Sequence, residues 1–227
     1  MMILSRYWLC KVFILCVCFT AGGIVMAEPN EHIKLPNPEL TGEQSVEMLL
    51  QQRRSVRSYQ KSSLNLAEVG QLLWSAQGVS DAQGLRTAPS AGALYPLKLF
   101  VVVGNVNNLS PGIYQYNPAE HSLLKTAKED LRKLLQKAAL NQSCIGDAAI
   151  IFVFTAIYQR TTWKYGERGV RYVHMEVGHA GQNLFLQAEA LDLGTVVVGA
   201  FNDNEVRDVL RLDSDIQPLS LMPVGRK

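Results

Sequence analysis

The chain carries Arg53-Arg54-Ser55-Val56-Arg57-Ser58-Tyr59, three arginines and two serines in seven residues. A short helical run, Ser45-Val46-Glu47-Met48-Leu49-Leu50, precedes it and would deliver the cluster at a helix end. Guanidinium forks match phosphate oxygens bidentately, and Ser55 adds a hydroxyl donor. A solvated basic loop is the plain alternative, and the cluster by itself leaves both readings open. Further along lies Ala88-Pro89-Ser90-Ala91-Gly92-Ala93-Leu94-Tyr95-Pro96, small and rich in accessible backbone. Gly92 and its alanine neighbours let main chain approach a flat ring and offer N–H groups to its polar edge. An ordinary loop entering the next strand is the competing reading.

A phosphate grip and a ring platform together suggest a flavin mononucleotide (FMN) site and redox chemistry. The segments around them read as alternating helices and strands. Leu66 to Ala76 has helical apolar spacing, with Asn65 placed to cap it. Leu97–Val103 and Ala148–Ile157 are near-continuous apolar strands, and Gly112–Tyr116 alternates before a turn at Asn117-Pro118. Lys128–Leu140 and Val170–Leu191 are predicted helices. Thr195–Phe201 is a predicted strand, and Asn202 caps a helix running to Leu210. Pro218–Val224 is a last strand. The order is irregular, with no βαβ repeat and no G-x-G-x-x-G after a first strand. The expected fold is therefore an α+β layered one, a central mixed sheet flanked by helices, and not a doubly wound dinucleotide domain.

Composition bounds the partners. The 227-residue chain has a formal charge of +2 and four cysteines. Residues 1–27 read as a secretory signal: Arg6 and Lys11, an apolar run from Val12 to Met26, then Val25-Met26-Ala27. The run is short for a spanning helix, which needs about 20 apolar residues; an uncleaved anchor is the alternative. Removing the signal removes both basic residues and leaves a neutral chain, so no nucleic-acid partner is expected. Cys10, Cys16 and Cys18 leave with it. Cys144 then stands alone, read as a buried small apolar residue. Residues 28–44 hold three prolines and read as an extended lead-in, and residues 45–227 as one domain.

A third constellation runs from Lys164-Tyr165 to His174, Glu176 and His179. His174 and His179 are five apart, about 140° around a helix, so they do not share a face as helical zinc ligands do. Packed or hydrogen-bonded histidines are the reading, and no metal site is expected. No G-x-S-x-G elbow and no phosphate-binding loop of the nucleotide-triphosphatase type occur.

Across roughly Ser45 to Arg226 these stretches resemble the nitroreductase-like flavoproteins, especially the SagB-type dehydrogenase branch. The carriers, in family order, are Arg53–Arg57, Pro89–Pro96, Gly112–Pro118, Tyr172–Asn183 and Pro223–Arg226. The resemblance implies a homodimer with FMN at the subunit interface. It implies that Arg53, Arg54, Ser55 and Arg57 hold the phosphate and ribityl chain. Pro89, Ser90, Ala91 and Gly92 would lie along the isoalloxazine ring, with Gly199 and Ala200 at its polar edge and Arg226 adding a phosphate contact. Lys164 and Tyr165 match by type and place the pair that removes a proton in azoline-oxidising members; a surface pair is the alternative. The expected function is FMN-dependent hydride transfer involving a small-molecule or peptide-derived substrate and a separate electron donor or acceptor. A flavin-binding scaffold without turnover is the alternative.

Overall fold

The structure, a computed structural model, describes residues 31–227. The segment read as a signal peptide lies outside the described residues. Seven strands form one sheet: β1 (His32–Lys34), β2 (Leu97–Val103), β3 (Gly112–Asn117), β4 (Ser122–Ala127), β5 (Ile150–Ala156), β6 (Leu193–Thr195) and β7 (Gln217–Arg226), in the order β1-β4-β3-β2-β5-β7-β6. Every ladder between them is antiparallel. A parallel bridge from Ser55 to Thr195 extends the β6 edge and makes the sheet mixed.

The sheet is covered on both faces, which explains why its central strands carry almost no polar residues. Along β5, Ile150, Phe152, Phe154 and Ala156 enter one core, while Ile151 and Val153 enter the other. The first core is closed by α2 (Leu66–Gln77) and α6 (Arg168–Ala190); the second by α3 (Arg132–Ala138), α4 (Ser143–Asp147) and α7 (Asp203–Leu210). The result is an α+β fold of three layers. β2 and β5 pair from Leu97 opposite Ala156 to Val103 opposite Ile150, so the two most apolar strands form its centre.

Local signals account for the helix ends. Ser45 caps α1 (Val46–Gln52) by accepting the Met48 N–H. Asn65 and Glu68 form a reciprocal capping box on α2. Asn202 caps α7 through the Glu205 N–H. Cys144 is buried in the second core, and burial raises its thiol pKa.

Several expectations shift. The lead-in contributes β1, an edge strand paired with the unforeseen β4. The helix expected over Lys128–Leu140 is confined to Arg132–Ala138, because Asp130 turns back to bind the Arg132 side chain and backbone N–H. The strand expected over Thr195–Phe201 ends regular pairing at Thr195, with one further bridge from Val198 to Leu221. The stretch before the long helix forms a separate α5 (Gln159–Tyr165). The corner between α5 and α6 is tight: a Cβ on Gly169 would stand 2.9 Å from the Thr162 Cα. That close approach fixes where α5 presents Lys164 and Tyr165.

Candidate functional site

The arginine segment leaves α1 and runs along the β6–β7 edge. Val56 donates its N–H to Thr195 O at 2.9 Å, and the Tyr59 hydroxyl donates to Val56 O and Pro223 O. This threading sends successive side chains in different directions. Arg53 lies over the Phe185 ring of α6, 5.0 Å from its centroid. Arg54 folds back and donates to Gln51 O and Arg53 O at 2.8 Å, completing the carboxyl end of α1. Arg57 opens into a hollow of about 720 Å³ shared with Ser58, Lys61, Arg132 and Lys133. Arg226 is paired with Glu68 at 2.7 Å, close to its capping box.

The Arg53–Phe185 contact borders a groove of about 380 Å³ along α6. His174, Gly178, Gly181 and Phe185 form its helix wall, and Val197 and Gly199 the opposite one. The His174 ring meets the Tyr158 hydroxyl at 2.6 Å, so this histidine is hydrogen-bonded, while His179 is exposed. Ala200 lies just beyond, its carbonyl accepting from Gln142 Nε2.

The second segment, expected to lie along a ring, forms an exposed and strained turn. Ala91–Ala93 forms a single 3₁₀ turn, and Gly92 is exposed. Three of four residues are left-handed: Gly92 at φ 63°, Ala93 at 53° and Tyr95 at 46°. For Ala93 and Tyr95 this costs about 1–2 kcal/mol each, so surrounding contacts must hold the loop. The contacts are present. Tyr95 N–H donates to Ser90 Oγ at 2.9 Å, and Asn183 Nδ2 of α6 donates to Thr87 O.

The platform and the Lys-Tyr pair meet. A Cβ on Gly92 would stand 2.8 Å from Tyr165 Oη and 3.0 Å from Lys164 Nζ. Tyr165 is held by an edge contact with Tyr172, ring centroids 5.1 Å apart. Lys164 Nζ lies 5.4 Å from the Tyr165 ring centroid.

Helical geometry, about 100° per residue, places these features around α6. The groove residues His174, Gly178, Gly181 and Phe185 share one flank. Tyr172, Glu176 and Asn183, which face the platform and its Lys-Tyr neighbours, fall on the opposite flank. Arg53 and Gly199 therefore stand with the groove, and Ser90, Gly92 and Tyr165 stand behind the helix. Arg53 and Gly199 thus stand across the body of α6 from Ser90, Gly92, Lys164 and Tyr165, while Arg54, Arg57 and Arg226 lie away from both groups.

The Nitroreductase family profile matches residues 50–226. The chain belongs to the nitroreductase family. It is 49% identical over 195 residues to a Methanocaldococcus jannaschii protein assigned to the nitroreductases, covering 86% of this chain and 96% of that one. It is 29% identical over 172 residues to the Microcin B17-processing protein McbC of Escherichia coli, covering 73% of this chain and 63% of McbC. A crystal structure from Anabaena variabilis, also assigned to the nitroreductases, superposes with a TM-score of 0.77 at 31% identity, over 87% of this chain and 42% of that one. Membership makes this nitroreductase an oxidoreductase by class, and its fold is the family's.

The sequence brought Glu176 forward only beside His174 and His179, where no metal site was expected, and did not mark Gln77 or Arg86 behind the platform. Glu176 is 2% exposed. Its neighbours are Ser90, Gln77 and Arg86, and burial raises its carboxyl to about 7 while those neighbours pull the other way. Arg86 donates to Gln77 Oε1 at 2.8 Å and lies 4.3 Å over the Tyr95 ring. A signal for Glu176 was available: it is the one acid in the inward stripe Val173, Glu176, Ala180, Leu184.

Gly92 is the sharpest test of the platform. A valine there meets both the left-handed backbone and the Tyr165 hydroxyl. Gly92→Val is expected to retain its far-ultraviolet circular dichroism and to lose the yellow colour of bound flavin. Full flavin occupancy in the folded variant would place the ring elsewhere.

Proposed function

We propose that this nitroreductase is an FMN-dependent oxidoreductase that works as a homodimer. FMN, when bound, supplies two-electron chemistry as a hydride acceptor and donor. The observation that carries the reading is the division of the site around α6. Arg53 with Gly199 occupies one flank, and the platform with Lys164 and Tyr165 the other. One chain therefore cannot bring both clusters to the same ring, but two copies packed along the groove could each complete the other's site. Val197, 48% accessible, lines that groove, and Val170, 41% accessible, stands one turn before His174; together they supply apolar surface for such packing.

The residues present fit FMN. Arg53 and Arg57 enter no ion pair among the described residues, so their charge is free for a phosphate. Gly92 leaves backbone exposed where a ring could lie. Arg226 would have to release Glu68 before joining, and Arg54 supports the segment from the end of α1. Ser55 holds the segment to the β6 edge through its bridge to Thr195.

In the proposed reaction a small or peptide-derived substrate lies over the platform beside Tyr165. FMN would supply the hydride acceptor, while the Tyr165 hydroxyl, held by Lys164 and the Tyr172 edge, would accept the substrate proton at its oxygen as it passes its own proton on to solvent. The same pocket would also admit a small two-electron acceptor or donor that restores the cofactor. The likeness to McbC, a microcin-processing protein, supports a peptide-derived substrate. The basic start, apolar run and Val25-Met26-Ala27 support export, with Glu28 as the mature N-terminus, to be read by N-terminal sequencing of native protein; recovery of Met1 would mean an anchor.

Titration of apo-protein with FMN and riboflavin tests the phosphate assignment. Arg53→Ala or Arg57→Ala should weaken FMN by about ten- to a hundredfold, as expected for one charged hydrogen bond worth about 1.5–3 kcal/mol, and leave riboflavin unchanged. Equal weakening of both ligands would mean the arginines act through folding.

Tyr165→Phe tests the proton step. The variant should bind flavin and be reduced by dithionite like the wild type, while turnover of a substrate that must lose a proton falls by about 10²–10⁴-fold. Reduction of quinones or nitroaromatics should change little. Wild-type turnover in Tyr165→Phe would remove this residue from the mechanism.

A further inference from the structure

The platform loop is strained, and the contacts that hold it converge on one buried acid. Ser90 Oγ accepts from Tyr95 N–H. The Tyr95 ring lies beneath Arg86, and its hydroxyl accepts the Arg86 N–H at 3.3 Å. Arg86 donates to Gln77 Oε1. Ser90 and Gln77 both face Glu176. The five residues close a ring that links the loop to α2 and α6, with Glu176 at its innermost point.

That ring is not fully satisfied. Glu176 Oε1 and Gln77 Nε2 are both buried without a hydrogen-bond partner. An incompletely solvated carboxylate is far costlier than an incompletely solvated neutral acid. We propose that Glu176 is a positioning residue: its protonated form holds the platform loop docked on α6, and loss of the proton loosens the loop. The proposal rests on the reading of Pro89–Gly92 as the flavin platform only for its effect on flavin, not for the motion of the loop.

The direction follows from linkage. The docked carboxyl titrates near 7 because it is buried. Opening the loop hydrates it and returns it toward the ordinary range near 4.3. A group whose pKa is raised in the docked state binds more protons there, so docking is strongest at low pH and weakens as pH rises through about 7. Of the other charged or titratable groups, Arg86 acts on Glu176 directly, Tyr95, Arg160 and Tyr116 act on Arg86, and Tyr172 and His179 stand one turn away on α6 itself. Arg86 stays charged throughout and favours the carboxylate. His179 is exposed, and the FMN phosphate also titrates near 6. Comparison with a variant altered only at Glu176 separates these contributions.

Hydrogen exchange of the ligand-free protein measures the loop directly. Protection of residues 88–96, each rate corrected for its intrinsic pH dependence, should fall by about fourfold between pH 6.5 and 8.5. Glu176→Gln, neutral at every pH, should keep the low-pH protection throughout. FMN and riboflavin should both bind the wild type more weakly as pH rises across this range, and Glu176→Gln should remove that shared component. If Glu176→Gln fails to fold, Ser90→Ala, which cuts the loop from the carboxyl, should lose the pH dependence in its place. Equal pH dependence in wild type and variant, or protection that increases with pH, would overturn the proposal. A pH-dependent loop in a protein that binds no flavin would leave the proposal standing and refute the FMN reading.

Discussion

The inward stripe of α6, with Val173, Ala180, Leu184 and Ala188 fully buried, packs on the sheet face formed by β2, β5 and β7 and against Val69, Leu72, Leu73 and Ala76 of α2. Burial of a leucine side chain contributes about 1.5–3 kcal/mol, so several such residues fix the helix rotationally. Once that rotation is fixed, every other residue of α6 has an assigned flank. His174 and Phe185 must face the groove, and Tyr172, Glu176 and Asn183 must face the platform. The separation of the site into two clusters is a consequence of core packing, not of any property of the clusters.

The same packing decides which charges are available for ligands. Arg226 lies at the end of β7, beside α2, and meets Glu68. Arg53 lies over an aromatic ring and Arg57 over an open hollow, and among the described residues neither is paired with a carboxylate. Three arginines of similar chemistry thus have different uses because the backbone carries them to different electrostatic settings. Glu176 is the converse case. An acid placed within an apolar stripe loses hydration that Ser90, Gln77 and Arg86 only partly replace, which is why it titrates near neutrality. A strained loop resting on such a group inherits its sensitivity to protonation.

Much of this was legible in the sequence. Periodicity located β2, β5, α2 and α6, because a fully buried strand and an amphipathic helix leave patterns that local composition cannot disguise. Asn65, Ser45 and Asn202 marked helix starts because capping is a contact between near neighbours. The elements that escaped were the short ones. β1 and β4 exist by pairing with each other and with β3, and α5 is defined by its tight corner at Gly169, so neither has a strong signal of its own. The strand expected through Phe201 keeps its ladder with β7 only to Thr195, beyond which a single bridge from Val198 to Leu221 remains.

The motifs, their order and the chemistry of their side chains were set by the sequence alone: arginines beside Ser55, a backbone-rich turn at Gly92, and Lys164 next to Tyr165. These are local properties carried by adjacent residues. That Gly92 meets Tyr165 across more than seventy positions, that Arg53 and Gly92 lie on opposite flanks of α6, and that Glu176 sits beneath Ser90 were decided only by the tertiary structure. Each is a relation between segments distant in the chain, and the hydrophobic burial that brings them together fixes distance and direction, which no local pattern encodes.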